Sequence, residues 1–290
     1  PAEVPAPAAS PLPATMAPPP PPGAPTPAPA PALASSEPPA EPARRLSDVT
    51  LPPPPTVAAA PEPVEGAATA GAEVLIDVDV GLPRCGCRPE DAGAIAELAR
   101  ARGLTVRGVM GYEGHVVGNP DRARRTALVG EAMDLLRRAH DDVGGDVTSA
   151  GGTGTYDLHD WAGEVQAGSY LLMDTHYGRL GLPFLQALEL EVTVLSTSPT
   201  RGWGVVDCGL KSLGMDHGNP TIPGWDVFFC SDEHTTFTPG ADGDAGLPPV
   251  GARLRVQPAH VDPTVAYHER LHLLDGDEVV DVWPVDLRNW

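Results

Sequence analysis

Proline sets the first limit on what this chain can fold into. Of the 36 prolines in its 290 residues, 23 fall before Val74, in a tract where alanine is the next commonest residue. No Phe, Trp or Tyr occurs before Tyr112. Such a segment has too little side chain to bury against the entropy of ordering it. Residues 1–73 are therefore expected to be a disordered Pro/Ala-rich tract, locally polyproline II. The proline runs at 18–22 and 52–55 read as spacer, or as ligands for aromatic-grooved modules. Folding is left to the chain from Glu73 onward, whose composition is that of an ordinary globular protein.

The charge balance excludes several classes of partner. A formal charge of -20, a pI near 4.6 and a single lysine, Lys211, repel phosphate backbones and anionic membranes, so neither nucleic acid nor membrane is expected as a partner. A small anion stays open, because backbone N–H groups hold one locally whatever the global charge. The sequence contains no apolar run long enough to span a bilayer and shows no secretory signal. Cys85, Cys87, Cys208 and Cys230 are too sparse for a zinc claim, so reduced thiols in a cytoplasmic protein are the default.

Periodicity divides the rest in two. VLIDVDV (74–80), TVRGVMGY (105–112), DVTSAGG and VQAGSYLLMD (165–174) read as strands, with helices over 91–103 and 121–140 between them. Strand alternating with helix predicts a parallel α/β unit over 74–187, whose loops at the strand carboxyl ends collect sites. From 188 to 290 short alternating strands predict an all-β domain, a small barrel or sandwich. Only about four parallel strands are present, half of a closed barrel.

Several residues are chemically suggestive. In PAHVDPTV, His260 and Asp262 stand two apart; on an extended strand they point to one side, as two ligands of a divalent cation. A strand-edge histidine and a turn-capping aspartate are the alternative. Gly151, Gly152 and Thr153 open a Gly-rich loop that is neither a Walker loop nor a dinucleotide fingerprint, but whose backbone can approach an anion. Gly168 and Ser169 could donate to the same anion. Arg84 lies beyond a strand end as a carboxylate holder or a surface cation. Tyr112 and His115 end the next strand as ring-packing or proton-handling groups, and His176 is placed as a general base. Glu233 and His234 are candidate supports of the metal pair. Asp207 and Asp216 flank Lys211, as a structural or a functional salt bridge.

The segments IDVDVGLPRCGC, VTSAGGTGTYD, EVQAGSYLLMD, VVDCGLKSL, SDEHTTF and PAHVDPTV, in that order, resemble the D-threonine aldolase and D-serine dehydratase-like family. The resemblance runs from about residue 74 to Trp290. It implies a fold-type III pyridoxal phosphate enzyme: a partial (β/α)8 barrel of alanine-racemase type followed by a C-terminal all-β domain. It further implies a phosphate cradle of Gly151, Gly152, Thr153, Gly168 and Ser169, with Tyr170 near cofactor and substrate and Arg84 on the cofactor's phenolic oxygen. His260 and Asp262 would bind a divalent metal that grips the substrate's β-hydroxyl, with manganese or magnesium favoured because an oxygen donor suits a harder cation and zinc as the alternative.

The implied reaction cleaves a D-3-hydroxy amino acid to glycine and an aldehyde, with His176 taking the hydroxyl proton directly or through a water. A D-serine or 3-hydroxyaspartate dehydratase, which in this family usually carries cysteine as the second metal ligand, is the second reading. A homodimer is implied more weakly. One departure stands out: the family's Schiff-base lysine, in a stretch resembling RPHVKTHK, has no counterpart here, and Lys211 lies in the β part. A truncated relative without catalysis is therefore the third reading. Resemblance that starts mid-motif at Glu73 is expected if residues 1–73 are a reading-frame artefact; an authentic fusion is the other expectation.

Overall fold

The structure, a computed structural model, describes residues 56–58, 60, 64, 72–240, 246–286 and 288. The first sheet has five parallel strands in chain order: β1 (Thr56–Ala58), β2 (Glu73–Asp77), β3 (Thr105–Gly111), β4 (Val147–Ala150) and β5 (Glu164–Val165). β2 is buried at four successive positions, Val74 to Asp77, as befits a parallel strand covered on both faces.

Two crossover helices supply the cover. α1 (Ala92–Ala101) buries Ala92, Ile95, Ala96 and Ala99, the three-and-four spacing of one helical stripe, and ends before Gly103 at φ +81°. α2 (Arg122–Val143) starts where the Asp121 carboxylate accepts from Arg124 N, and buries Val129, Met133, Leu136 and Val143. These side chains join Val74, Ile76, Val109 and Ala150 in one apolar core. Truncating a fully buried member such as Leu136 would cost about 2–5 kcal/mol. Among the described residues the sheet does not close.

The C-terminal part is an antiparallel sheet of order β10-β6-β7-β9-β8: β6 (Leu190–Ser198), β7 (Trp203–Val206), β8 (Trp225–Cys230), β9 (Thr235–Pro239) and β10 (Arg253–Val256). Its core holds Val192, Val194, Val206, Leu213, Ile222, Phe237 and Val256. Two short helices, α3 (Thr175–Gly178) and α4 (Val261–Tyr267), flank it in sequence, and the hairpin β11 (Arg270–Asp275) with β12 (Glu278–Pro284) follows.

Three expectations change. The tract 1–73 lies outside the described residues up to residue 55, but β1 pairs Thr56 with Val74 and Ala58 with Ile76, so the barrel sheet begins before the expected boundary at Glu73. The apolar segment 165–174 is no strand. After β5 it turns through Gly168 into a 3-10 turn at Ser169–Leu171, and Met173 takes φ +57°. His260 and Asp262 do not share a strand either: His260 is extended and caps α4, and Asp262 stands in that helix's first turn.

Candidate active site

Parallel strands place their carboxyl-end loops along one edge, and the four loops after β2, β3, β4 and β5 converge with two segments of the β part on a cavity of about 940 Å³. That volume suits a small organic cofactor together with a substrate. Arg84, Tyr112, His115, Gly152, Thr153, Gly168, Ser169, His176, His260 and Asp262 all line it. Two candidates stand back from the wall. Gly151 is buried behind the loop, and Tyr170 packs its ring on Phe184 at 5.3 Å while its N–H bonds Thr153 Oγ1 at 3.0 Å. That bond ties the two Gly-containing turns together.

The metal-type pair is oriented by a residue that the sequence reading assigned elsewhere. His260 Nδ1 lies 2.8 Å from both Asp216 carboxylate oxygens, so Nδ1–H donates and Nε2 keeps its lone pair. Nε2 faces Asp262 Oδ2 at 3.4 Å, a separation two atoms reach when each sits about 2.1 Å from one divalent ion. The side chains present thus fit a divalent metal. Partial burial would raise Asp216, but the bond from His260, a backbone bond and the neighbouring His260 and His217 charges together hold the carboxyl below its ordinary range.

His217 stacks on His260 with centroids 4.0 Å apart and planes 17° apart, and lies 4.3 Å from His176. One ligand atom each of Asp216, His217 and His260 lies within 4.8 Å of the others, so His217 stands close enough to join the metal-binding set. Neither Asp216 nor His217 could be placed from sequence, because SLGMDHGNP has no periodicity; a bridge between Gly214 and His260 brings the segment in.

His176 accepts from Arg179 at Nδ1, 2.9 Å away, because a guanidinium only donates. Burial first, then His217 and Arg179, hold its pKa below the ordinary imidazole value, so the ring is neutral near pH 7 with its proton on Nε2. Asp174, fully buried, accepts from Tyr177 N with one oxygen and from Val261 N with the other, each at 2.9 Å. Tyr112 carries the Arg84 guanidinium 5.3 Å from its ring centre, and burial pushes its hydroxyl pKa up.

Other candidates fall outside. Glu233 pairs with Lys211 at 2.6 Å, both exposed, and so does not support the metal pair. Asp207 accepts from Thr193 N at 2.6 Å, not from Lys211.

A pyridoxal phosphate cofactor meets a divided fit. Thr153, Gly168 and Ser169 have backbone N–H groups without a protein acceptor among the described residues, and a Cβ on Gly168 would project into open space. A phosphate fits there. The aldehyde carbon finds no lysine, since Lys211 does not line the cavity.

Fold and site together define a class: alanine-racemase-type barrel proteins whose β domain brings a His–Asp pair to the cofactor edge. Residues 55–190 match the family model of the alanine racemase N-terminal domain, and residues 187–274 that described as "Putative serine dehydratase domain". The chain is 34% identical to a D-threonine aldolase of Arthrobacter sp over 77% of its own length and 62% of that protein's. It is 32% identical to a 3-hydroxy-D-aspartate aldolase of Paracoccus denitrificans over 74% and 60%. The crystal structure of D-threonine aldolase from Filomicrobium marinum superposes with a TM-score of 0.73 at 28% identity, covering 80% of this chain and 69% of that one. The chain belongs to the D-threonine aldolase and D-serine dehydratase-like family. It spans less than two thirds of the length of the two aldolases just compared by sequence. The match also reaches residue 55, upstream of the expected junction at Glu73.

Proposed function

We propose that this chain carries the phosphate-binding and metal-binding half of an aldehyde lyase acting on D-3-hydroxy amino acids. The observation that supports this most is the convergence of the 151–155 and 168–170 turns with the Asp216-oriented His260–Asp262 pair on one cavity. Thr153, Gly168 and Ser169 would hold the phosphate of pyridoxal phosphate, which when bound supplies an electron sink for bond breaking at Cα. Arg84 and Tyr112 would border its ring. His260 and Asp262 would hold manganese or magnesium, the hard cation that an oxygen donor favours.

His176 lies on the same wall, with the proton on Nε2 and Arg179 on Nδ1. The neutral ring donates at Nε2 as it stands. Acting as a base toward a β-hydroxyl requires the Arg179 contact to open, which frees Nδ1 for a proton or lets the tautomer change. Asp174 fixes where this ring stands relative to α4. We further assign the 74–187 unit to the cofactor and the 188–290 unit to the metal pair.

The test mixes the full chain with pyridoxal phosphate, Mn²⁺ and D-threonine, and measures binding by fluorescence and products by chromatography. The expected result is binding of both ligands, with Mn²⁺ binding lost in His260→Ala; glycine and acetaldehyde formed in equal amounts would add retro-aldol cleavage to this chain. A 2-keto acid and ammonia instead would establish elimination. Binding without products would leave a binding protein, and no pyridoxal phosphate binding would overturn the reading.

A further inference from the structure

Glu113 is fully buried, yet its carboxylate touches neither the cavity nor any arginine or lysine. Its place follows from register. Gly111 of β3 pairs with Ala150 of β4, so residues 113 and 151 leave neighbouring strand ends side by side. Oε2 accepts from Gly151 N at 3.1 Å; Oε1 accepts from Thr155 Oγ1 at 2.6 Å and from His159 Nε2 at 2.9 Å. Thr155 Oγ1 in turn accepts from Gly152 N at 3.1 Å. One carboxylate therefore holds both ends of the Gly151–Thr155 loop.

His159 has a fully buried side chain whose Nε2 meets Oε1, and its Nδ1 has no partner among the described residues. Gly151 N–H, the Thr155 hydroxyl and the His159 ring thus occupy both carboxylate oxygens. Burial alone would raise the Glu113 pKa, but the His159 and Thr155 bonds, the His159 charge and a backbone bond together lower it. The geometry also explains Gly151: at φ +82° it needs no side chain, and a Cβ would stand 2.8 Å from the His159 ring.

We infer that Glu113 is the positioning residue of the anion cradle. By drawing the Gly151 and Gly152 N–H groups inward, directly and through Thr155, it leaves Gly152 and Thr153 lining the cavity with the Thr153 N–H as the free donor. This rests on the reading of that loop as a phosphate cradle. A merely structural buried carboxylate would stabilise the whole fold without preference for one ligand.

The experiment compares the full-length chain with Glu113→Gln and Thr155→Val, the second variant removing one arm without touching the charge. Three readouts are taken: amide hydrogen exchange over 151–155 without ligand, Kd for pyridoxal phosphate, and Kd for Mn²⁺. Gln keeps one acceptor oxygen but sets an NH₂ against groups that already donate. The expected result is faster exchange at Gly151 and Gly152 in one or both variants, pyridoxal phosphate binding weakened by about tenfold or more, and Mn²⁺ binding within twofold. Unchanged exchange in both variants, or parallel loss of both ligands, overturns the inference. If the parent chain binds no pyridoxal phosphate, the proposed function fails, while the exchange data still decide whether Glu113 holds the loop.

Discussion

Replacing Asp216 with alanine removes the acceptor that holds His260 Nδ1–H and leaves Asp262 in place. A hydrogen bond to a charged group contributes about 1.5–3 kcal/mol. Asp216 is 57% exposed, so solvent screens the interaction and the lower end applies. Roughly 1.4 kcal/mol is about tenfold in Kd, at the bottom of the ten- to hundredfold range typical of groups that orient a metal-bound histidine. Asparagine retains one acceptor oxygen for Nδ1–H and loses only the charge, so Asp216→Asn should weaken binding about threefold. Titrating Mn²⁺ into each chain, with free ion counted by electron paramagnetic resonance, measures both. The reasoning fails if the alanine chain binds Mn²⁺ within twofold of the parent, or if asparagine costs as much as alanine.

Other outcomes follow from the same geometry. Gly168→Ala should leave the fold intact, because a Cβ meets nothing within 4 Å, yet weaken pyridoxal phosphate binding by filling the cradle; calorimetric melting beside a fluorescence titration checks both halves. Lys211→Met should leave the melting temperature and cofactor affinity essentially unchanged, since it breaks only a solvent-screened exposed pair with Glu233; loss of cofactor binding would put that lysine in the site. His176 and His217 both have pKa values lowered, burial being the leading cause in each. Their contribution to stability is therefore full above about pH 6.5 and is lost as pH falls through the folded values. Urea midpoints from pH 7.5 down to 5.5 should fall, and a flat profile would contradict the assignment.

What the sequence disclosed depended on how local the signal was. α1 and α2 were legible because an apolar stripe every three or four residues needs no partner to be recognised. The cavity-lining Gly152, Thr153, Gly168 and Ser169 were legible as motifs. The 165–174 segment misled because an apolar run has the same composition whether it forms a strand or a buried turn, and only the backbone at Gly168 and Met173 decides. PAHVDPTV brings its two residues together by a different route: alternation puts His260 and Asp262 on one side of a strand, whereas here a helix start does so. Asp216 and His217 lay beyond reading, since their position depends on Gly214 bridging to His260 across 46 residues of chain. β1 was hidden by the prolines around it.

Asp174 carries a consequence for substrate range. Its two oxygens hold the start of the α3 turn that bears His176 and the start of the α4 turn that bears Asp262. Under the proposed function, the gap between His176 and the His260–Asp262 pair is thereby tied to a single carboxyl group, and neither edge can retreat without stranding a buried acceptor. Room for a bulkier β-substituent must come from the loop after β3, where His115 and Asn119 face the cavity while Gly118 stands against the His176 ring. Trimming His115 or Asn119 should widen the range of accepted side chains while leaving the distance over which a proton travels as it was.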